Sequence, residues 1–241
     1  IATLSNGLIN EVKSEGRVDN LEKNSLVKSM EGTIGIGHVR WATHGLPNSI
    51  NAHPHSSENV SVVHNGIIEN NNQLRNQLIE TGVKFTSDTD TEVVCHIITS
   101  YINSGLNAYE AIRATMEDIK GSYAFGVLIT SEPNKLFAVR GGSPLAIGST
   151  EGENYIGSDT YSLSAYSDNI TYLKDGDIAV IKNKSYEIFD QFNVLVERKK
   201  QSIIESVSLS EKGIFKHFMS KEIHEQPEVI AKSLSNYIDM D

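Results

Sequence analysis

The sequence is poor in cysteine, in basic residues and in long apolar runs, and each shortage excludes a class of protein. Cys95 is the only cysteine among 241 residues, so no internal disulfide is possible and a reducing cytoplasm is the expected location. Acidic residues outnumber basic ones by 31 to 21, which argues against a nucleic-acid-binding surface. No apolar run approaches the roughly 20 residues that cross a bilayer, so we expect no membrane span.

The residues that are present indicate a globular α+β domain. Hydrophobic residues make up 39% of the chain and charged residues 22%, as in folded proteins. Short apolar runs between turn signals predict strands over 35–39, 60–64, 123–130, 136–139, 145–147, 178–181 and 186–189. Apolar residues at helical spacing predict helices over 71–80, 90–103, 108–120 and 160–165. Strands dominate after residue 121, and this grouping disfavours a doubly wound parallel sheet.

The composition changes near residue 200. Strand-like sequence gives way to Glu211-Lys212-Gly213 and then to a polar, helical-looking stretch over 215–237. We therefore predict a domain over 1–210 and a linker over 211–241 that leads towards another domain.

Histidines are concentrated between Gly35 and Gly66, which hold five of the eight: His38, His44, His53, His55 and His64. A metal site is one hypothesis, but no carboxylate or cysteine flanks His53-Pro54-His55 at the usual ligand spacing, so we expect none. The alternative is that loop histidines, at least His38, His55 and His64, hold backbone groups. Gly35-Ile36-Gly37 lacks the third glycine of a dinucleotide loop, and no Walker loop occurs, so no nucleotide cofactor is expected.

Two segments that follow predicted strands carry candidate binding groups. Arg40 precedes Thr43 and His44, and its guanidinium could bind a carboxylate through two hydrogen bonds. His64-Asn65-Gly66 is first of all a turn signal. Its alternative interpretation is an oxyanion hole, in which the Asn65 amide and the Gly66 N–H stabilise a developing negative charge.

The third candidate segment, 87–92, opens a predicted helix. Ser87, Asp88 or Thr89 could cap the helix, and acidic residues suit its first turn. Asp90 could instead bind an ammonium group. One cation, one anion and two oxyanion donors suit a free amino acid whose acyl group becomes tetrahedral, but this set contains no nucleophile.

The same segments carry a family resemblance. Four motifs occur in order: His38-Val39-Arg40-Trp41-Ala42-Thr43-His44-Gly45, Asn51-Ala52-His53-Pro54-His55, Val63-His64-Asn65-Gly66-Ile67-Ile68-Glu69-Asn70 and Ser87-Asp88-Thr89-Asp90-Thr91-Glu92. They resemble the successive motifs of class II glutamine amidotransferases. Trp41-Ala42-Thr43 and the segment over 213–227 are most similar to the branch of the family that delivers ammonia to fructose 6-phosphate.

The resemblance implies a fold and a reaction. The fold is a four-layer αββα sandwich of the N-terminal-nucleophile hydrolase type. In the reaction, an N-terminal cysteine attacks the side-chain amide of L-glutamine, with its own α-amine as base, and L-glutamate is released after ammonia. A sugar isomerase domain in the same polypeptide, a homodimer and no metal or cofactor are also implied.

The resemblance also implies a role for each matching residue. Arg40 binds the glutamine α-carboxylate beside Thr43 and His44, Asp90 binds the α-ammonium, and Asn65 and Gly66 form the oxyanion hole. Trp41 lies near the ammonia exit, and His53 shapes the loop that closes over glutamine.

The sequence departs from this family at the nucleophile. Ile1-Ala2-Thr3-Leu4 resembles a strand that follows the cysteine-bearing segment, so we expect that first strand to be missing from the 241 residues. Cys95 lies in the predicted helix over 90–103, where a cysteine is usually a small buried hydrophobe. Two alternatives remain open: a fragment that only binds glutamine or glutamate, and a family member that serves another ammonia acceptor.

Overall fold

The computed structural model describes residues 1–40, 44–202 and 214–234, and the chain divides into two compact units, 1–202 and 203–241. The strands are β1 (Ala2–Ser5), β2 (Leu8–Glu11), β3 (Ile34–Ile36), β4 (His55–Ser56), β5 (Val60–Ile68), β6 (Gly121–Ile129), β7 (Leu136–Gly141), β8 (Ala146–Ser149), β9 (Asn154–Gly157), β10 (Asn169–Tyr172), β11 (Ile178–Ile181), β12 (Tyr186–Phe189), β13 (Leu195–Val196) and β14 (Lys200–Ser202). The helices of the first unit are α1 (Val18–Glu22), α2 (Ser25–Lys28), α3 (Asn71–Glu80), α4 (Thr91–Asn103), α5 (Ala108–Asp118) and α6 (Thr160–Ser164). The described part of the second unit contains α7 (Phe218–Leu234).

A seven-stranded antiparallel sheet forms the centre of the first unit, with the strand order β13-β12-β11-β7-β6-β5-β4. In this sheet, β5 pairs with β6 without a break, from Val60 opposite Ile129 to Ile68 opposite Gly121. Side chains alternate along β6, so that Phe125 and Val127 join one apolar core while Ala124 and Leu128 join another. The central sheet is therefore buried on both faces.

Helices α3, α4 and α5 cover the first face of the central sheet. Val94 and Ile98 of α4 and Ile112 of α5 recur at helical spacing and are fully or almost fully buried against that sheet. A capping box begins α5: Asn107 accepts from the Glu110 N–H, and Glu110 accepts from the Asn107 N–H. Burying the apolar side chains of Val94, Ile98 and Ile112 stabilises the fold by about 1.5–3 kcal/mol each.

Two smaller sheets cover the second face. One has the order β2-β1-β3 and the other β14-β10-β8-β9, and both contribute to the core that contains Leu4, Ile36 and Ile147. Outside the four-stranded sheet lies α6, whose Leu163 is buried beside Gly148 and Gly157. The layers are thus helix, sheet, sheet and helix, as in the predicted sandwich, and the last layer consists of the short helix α6.

Most predicted elements occur, but three local predictions were wrong. Strand β5 continues to Ile68, so Asn65 and Gly66 lie inside a strand rather than in a turn. Strand β3 ends at Ile36, before the predicted residue 39. The N-cap of α4 is Asp90, which makes no side-chain capping bond, because its carboxylate is used elsewhere.

Other predictions fall outside the part of the chain that is described. Trp41 and Thr43 lie in the gap at 41–43, and the predicted boundary at residue 210 lies in the gap at 203–213. No helix in the described ranges is long and apolar enough to cross a membrane.

Candidate active site

A cavity of about 280 Å³ collects most of the predicted site residues. Its lining residues are His38, Arg40, His53, His64, Asn65, Gly66, Ile67, Thr89, Asp90 and Thr91. They come from four places: the segment after β3, the loop before β4, the second half of β5 and the start of α4. Arg40, His53, Asn65, Gly66 and Asp90 were singled out from the sequence, and the structure brings all five together.

Asp90 is the anionic group of the cavity and is only 4% exposed. Its Oδ2 atom accepts a hydrogen bond of 2.8 Å from the Ile68 N–H, and its Oδ1 atom lies 3.9 Å from Nδ1 of His44. The backbone of β5 therefore fixes the carboxylate and leaves Oδ1 directed at the side where His44 lies.

The hydrogen-bond pattern of β5 determines where the Gly66 N–H points. Glu69 N donates to Lys120 O, so the odd-numbered residues of β5 exchange bonds with β6. The even-numbered residues direct their N–H groups to the opposite edge, as the bond from Ile68 to Asp90 confirms. The Gly66 N–H, two residues earlier, shares that edge and faces the cavity.

Only glycine can occupy position 66. Its φ is +133°, and a Cβ built there would lie 1.9 Å from the carbonyl oxygen of Ser122 on the neighbouring strand. An L side chain would be strained by the φ angle and blocked by the backbone of β6. The glycine thus permits an N–H group in the cavity wall without interrupting the sheet.

Asn65 precedes this glycine and presents its amide to the same cavity. Its Oδ1 lies 2.6 Å from Nε2 of His38. Among the described residues, none forms a hydrogen bond with Nδ2 of Asn65. The amide therefore keeps an available donor beside the Gly66 N–H.

Arg40 is the cationic group of the cavity, and the following loop holds its guanidinium. Nη2 donates to the carbonyl oxygens of His44 and Gly45, and Nη1 donates to that of Leu46 at 3.1 Å. Burial lowers the pKa of Arg40 and the charge of Asp90 opposes this, but the group remains cationic at neutral pH.

Three further histidines surround the site in the neutral form. Burial is the main cause that lowers the pKa of His55 to about 3 and that of His64 to about 4, and it lowers the pKa of His53 further. The Thr91 hydroxyl lies 2.9 Å from both His53 Nε2 and His64 Nδ1. In the ranges described, no group of His, Cys, Asp and Glu side chains could hold a metal ion.

The prediction that loop histidines hold backbone groups missed their side-chain partners. His38 bonds the Asn65 amide, His64 bonds Thr91, and His55 Nε2 lies 3.0 Å from the Thr89 hydroxyl.

Two other residues hold the site together without having been given a role from the sequence. Asn51 bonds Leu46 O and both the N–H and the carboxylate of Asp88, and Arg75 donates to the carbonyls of Ser87 and Thr89.

Cys95 is buried in α4, as predicted. Its Sγ atom is fully enclosed and lies 3.1 Å from the carbonyl oxygen of His55. Burial strongly raises the pKa of its thiol, and nearby Glu92 raises it further. The thiol therefore has neither access to the cavity nor a tendency to ionise.

A second cavity, of about 440 Å³, adjoins the first and shares His38, His64 and Asn65 with it. One side is formed by 37–39, which follow β3, and the other by Ile156 and Gly157 of β9. Both β3 and β9 are terminal strands of their sheets, and Gly126 of β6 lies at the base. This cleft therefore separates two sheet edges and opens next to Asn65.

Comparison with curated proteins finds relatives along the whole chain. The chain is 44% identical over 239 residues to glutamine--fructose-6-phosphate aminotransferase [isomerizing] of Mesorhizobium japonicum. It is 46% identical to a protein of the same name from Rhizobium meliloti. Each alignment covers 99% of this chain but 39% of the relative, so the chain spans about two-fifths of the length of these proteins.

Solved structures share the fold. Glutamine phosphoribosylpyrophosphate amidotransferase from B. subtilis superposes with a TM-score of 0.65 at 26% identity, covering 78% of this chain and 42% of that one. This likeness confirms the predicted α+β sandwich of the N-terminal-nucleophile amidotransferases. The family described as "glutamine amidotransferase domain" matches residues 38–165, more than half of the chain. The chain therefore belongs to the glutamine amidotransferase family.

Proposed function

We propose that this chain is the glutamine-hydrolysing domain of an enzyme that transfers the amide nitrogen of L-glutamine to fructose 6-phosphate. The observation that carries the proposal is one small cavity that contains a cation at Arg40, an anion at Asp90 and two donors at Asn65 and Gly66. These are the groups that a free amino acid with a reacting acyl group requires. The names of the relatives, at 44–46% identity, favour fructose 6-phosphate as the acceptor.

The two charged groups would bind the main-chain end of glutamine. Arg40 takes the α-carboxylate, because its fork of N–H groups is already oriented by the carbonyls of the loop over 44–46. Asp90 takes the α-ammonium through Oδ1, while Oδ2 stays bonded to Ile68. By the family resemblance, Thr43 and His44 would contribute to binding the carboxylate, and His53 would shape the loop that closes over glutamine.

The Asn65 amide and the Gly66 N–H would stabilise the reacting end. When a thiol attacks the side-chain amide carbon, the carbonyl oxygen becomes an oxyanion, and both donors face the cavity where that charge develops. Collapse of the tetrahedral intermediate releases ammonia and leaves a thioester, which water converts to glutamate. By the family resemblance, Trp41 would gate the exit of ammonia.

The attacking thiol would come from a segment outside the 241 residues. Cys95 is the only cysteine in the sequence and is buried away from the cavity. The cleft between β3 and β9 is bordered by two strands that are terminal in their sheets within the described part of the chain, and it reaches Asn65. A cysteine-bearing strand in this cleft would pair with the sheet edges and present its thiol to the oxyanion donors.

The polypeptide that contains this chain would then carry a sugar isomerase domain and act as a homodimer. The segment over 211–241 would be the linker towards that domain. No metal or cofactor takes part in the proposed hydrolysis.

The test uses the full-length polypeptide that contains this chain, incubated with glutamine and fructose 6-phosphate. The expected products are glutamate and glucosamine 6-phosphate. Asn65→Ala should lower kcat by about 10²–10³-fold, as loss of one oxyanion donor does elsewhere. The exposed Asn183→Ala is the matched control and should retain wild-type rates.

The outcomes separate the alternatives. Glutamate without glucosamine 6-phosphate would indicate a different ammonia acceptor. Glutamine binding without hydrolysis in the full-length protein would indicate a binding module instead. Glutamine hydrolysis by the 241-residue chain that survives Cys95→Ala would overturn the assignment of the nucleophile to another segment.

A further inference from the structure

One histidine in the cavity wall touches an oxyanion donor directly. Nε2 of His38 lies 2.6 Å from Oδ1 of Asn65, slightly shorter than the usual range of about 2.7–3.2 Å for hydrogen bonds with a nitrogen donor. His38 lies in the segment after β3, whereas Asn65 lies in β5, so the contact joins that segment to the central sheet. The resemblance gives His38 no catalytic or binding role.

The geometry determines which nitrogen of His38 carries the proton. Burial, opposed by the contact with Asn65 and assisted by Arg40, lowers the pKa of His38, so the ring is neutral at pH 7 and has one N–H. Nδ1 is buried and has no partner among the described residues. A buried N–H without an acceptor is rarer in proteins than a buried lone pair without a donor. The proton therefore lies on Nε2 and is donated to Oδ1.

We propose that His38 is a positioning residue that fixes the side-chain amide of Asn65 with Nδ2 towards the cavity. This inference rests on the proposed function, because it concerns the donor that stabilises the oxyanion. An Asn amide can turn by 180° with little change in shape. The reversed amide would place Oδ1 at the oxyanion and replace an attraction with a repulsion.

Neighbouring contacts keep His38 in place. Its ring packs on that of His53 with 4.4 Å between centroids. His53 is in turn bonded to the Thr91 hydroxyl at the start of α4. The orientation of Asn65 thus depends on a chain of contacts that reaches the helix carrying Asp90 at its N-cap.

The kinetic test compares His38→Leu with His38→Gln in the full-length amidotransferase. His38→Leu removes the donor and should lower the kcat of glutamine hydrolysis about 10–100-fold, up to the effect of losing Asn65. Its KM for glutamine should stay within about threefold, because Arg40 and Asp90 are unchanged. His38→Gln restores an N–H near the position of Nε2 and should recover most of the rate.

A double-mutant cycle separates this inference from the proposed function. In an Asn65→Ala background, His38→Leu should cause little further loss, since there is no amide left to orient. Multiplicative losses, or a change in KM alone, would overturn the inference. Wild-type kcat in Asn65→Ala would instead overturn the oxyanion assignment of the proposed function.

A spectroscopic measurement makes the test independent of how the variants fold. Nitrogen-15 NMR of the imidazoles in the wild-type full-length protein should show His38 as the Nε2–H tautomer at pH 7. The Nδ1–H tautomer would overturn the inference, because His38 would then accept from Asn65 and hold its amide in the reversed orientation.

Discussion

The Asp90 carboxylate accepts a hydrogen bond of 2.8 Å from the backbone N–H of Ile68. This contact joins the N-terminus of α4 to β5 two residues beyond Gly66. The anion that would bind the α-ammonium and the N–H that would stabilise the oxyanion are therefore set by the same stretch of backbone. A shift of α4 along β5 would disturb both ends of the substrate site together.

Asp90→Asn should weaken glutamine binding in the full-length protein. The asparagine can still accept from Ile68, but it lacks the charge that would pair with the α-ammonium. Because a hydrogen bond between charged groups contributes about 1.5–3 kcal/mol, KM should rise about 10–100-fold. If the contact is equal in the ground and transition states, kcat changes little.

Steady-state glutaminase kinetics measure this effect, and Asp168→Asn is the control. Asp168 is an exposed aspartate outside the cavity, so its substitution should leave both constants unchanged. An Asp90→Asn protein with wild-type KM and kcat would remove Asp90 from the substrate site.

Gly66→Ala should prevent correct folding of the β5–β6 pair. The added Cβ would lie 1.9 Å from Ser122 O at a φ of +133°, so the strands would have to separate. Gly105→Ala is the matched control, because its φ is +104° but no atom lies within 4 Å of the added Cβ. The control reports the cost of the backbone angle alone, on the order of 1 kcal/mol, or about 2–4 °C in Tm.

Thermal unfolding of the two purified variants distinguishes steric from conformational cost. Gly66→Ala should be insoluble or melt at least 10 °C below Gly105→Ala. Equal melting temperatures would show that β6 yields easily and that the close approach of the two strands is unimportant.

Periodicity predicted the elements whose burial pattern is regular. Strands β11 and β12 and helix α3 have the predicted bounds, because their apolar residues alternate or recur as one buried face demands. The prediction of a turn at Asn65-Gly66 was wrong because the local preference for a turn competes with strand pairing. Nine consecutive partners on β6 outweigh the turn preference of two residues.

The site shows a similar division between what the sequence could and could not reveal. Arg40, Asp90, Asn65 and Gly66, which line one cavity, were singled out because their chemical types form a set that fits an amino acid. Asn51, Arg75 and Thr91 were not, since they act by holding residues that lie up to 38 positions away in the sequence. Such contacts exist only after the chain has folded, and no local sequence pattern predicts them.

Cys95 should be inert to alkylation in the folded protein. Its thiol is fully buried, and burial keeps its pKa well above the ordinary value, so almost no thiolate is present at pH 8. Iodoacetamide should modify it only in denaturant, as measured by mass spectrometry. Cys95→Ala should retain the glutaminase activity of the full-length protein and lose about 1–2 kcal/mol of stability through the small cavity created. Rapid alkylation of the native protein at Cys95 would show that α4 opens.

Acid should destabilise the fold below pH 6.5, and His55 should account for a defined part of the loss. Burial first, and then the charge of Lys13, lowers the folded-state pKa of His55 to about 3. The unfolded state, with a pKa near 6.5, binds the proton first, so stability is complete above pH 6.5 and falls as the pH drops towards 3. Each pH unit within this window costs about 1.4 kcal/mol per such histidine.

Urea unfolding at pH 6.5 and pH 5.0 measures the contribution of His55 against His55→Gln. Glutamine does not titrate but can still bond the Thr89 hydroxyl, which lies 3.0 Å from Nε2 of His55. The wild type should therefore lose about 2 kcal/mol more than His55→Gln over this interval. The exposed His217→Gln should follow the wild type, since it removes a histidine without removing a buried one. Parallel curves for wild type and His55→Gln would mean that His55 takes up its proton at the same pH in the folded and the unfolded protein, so that burial does not keep it neutral.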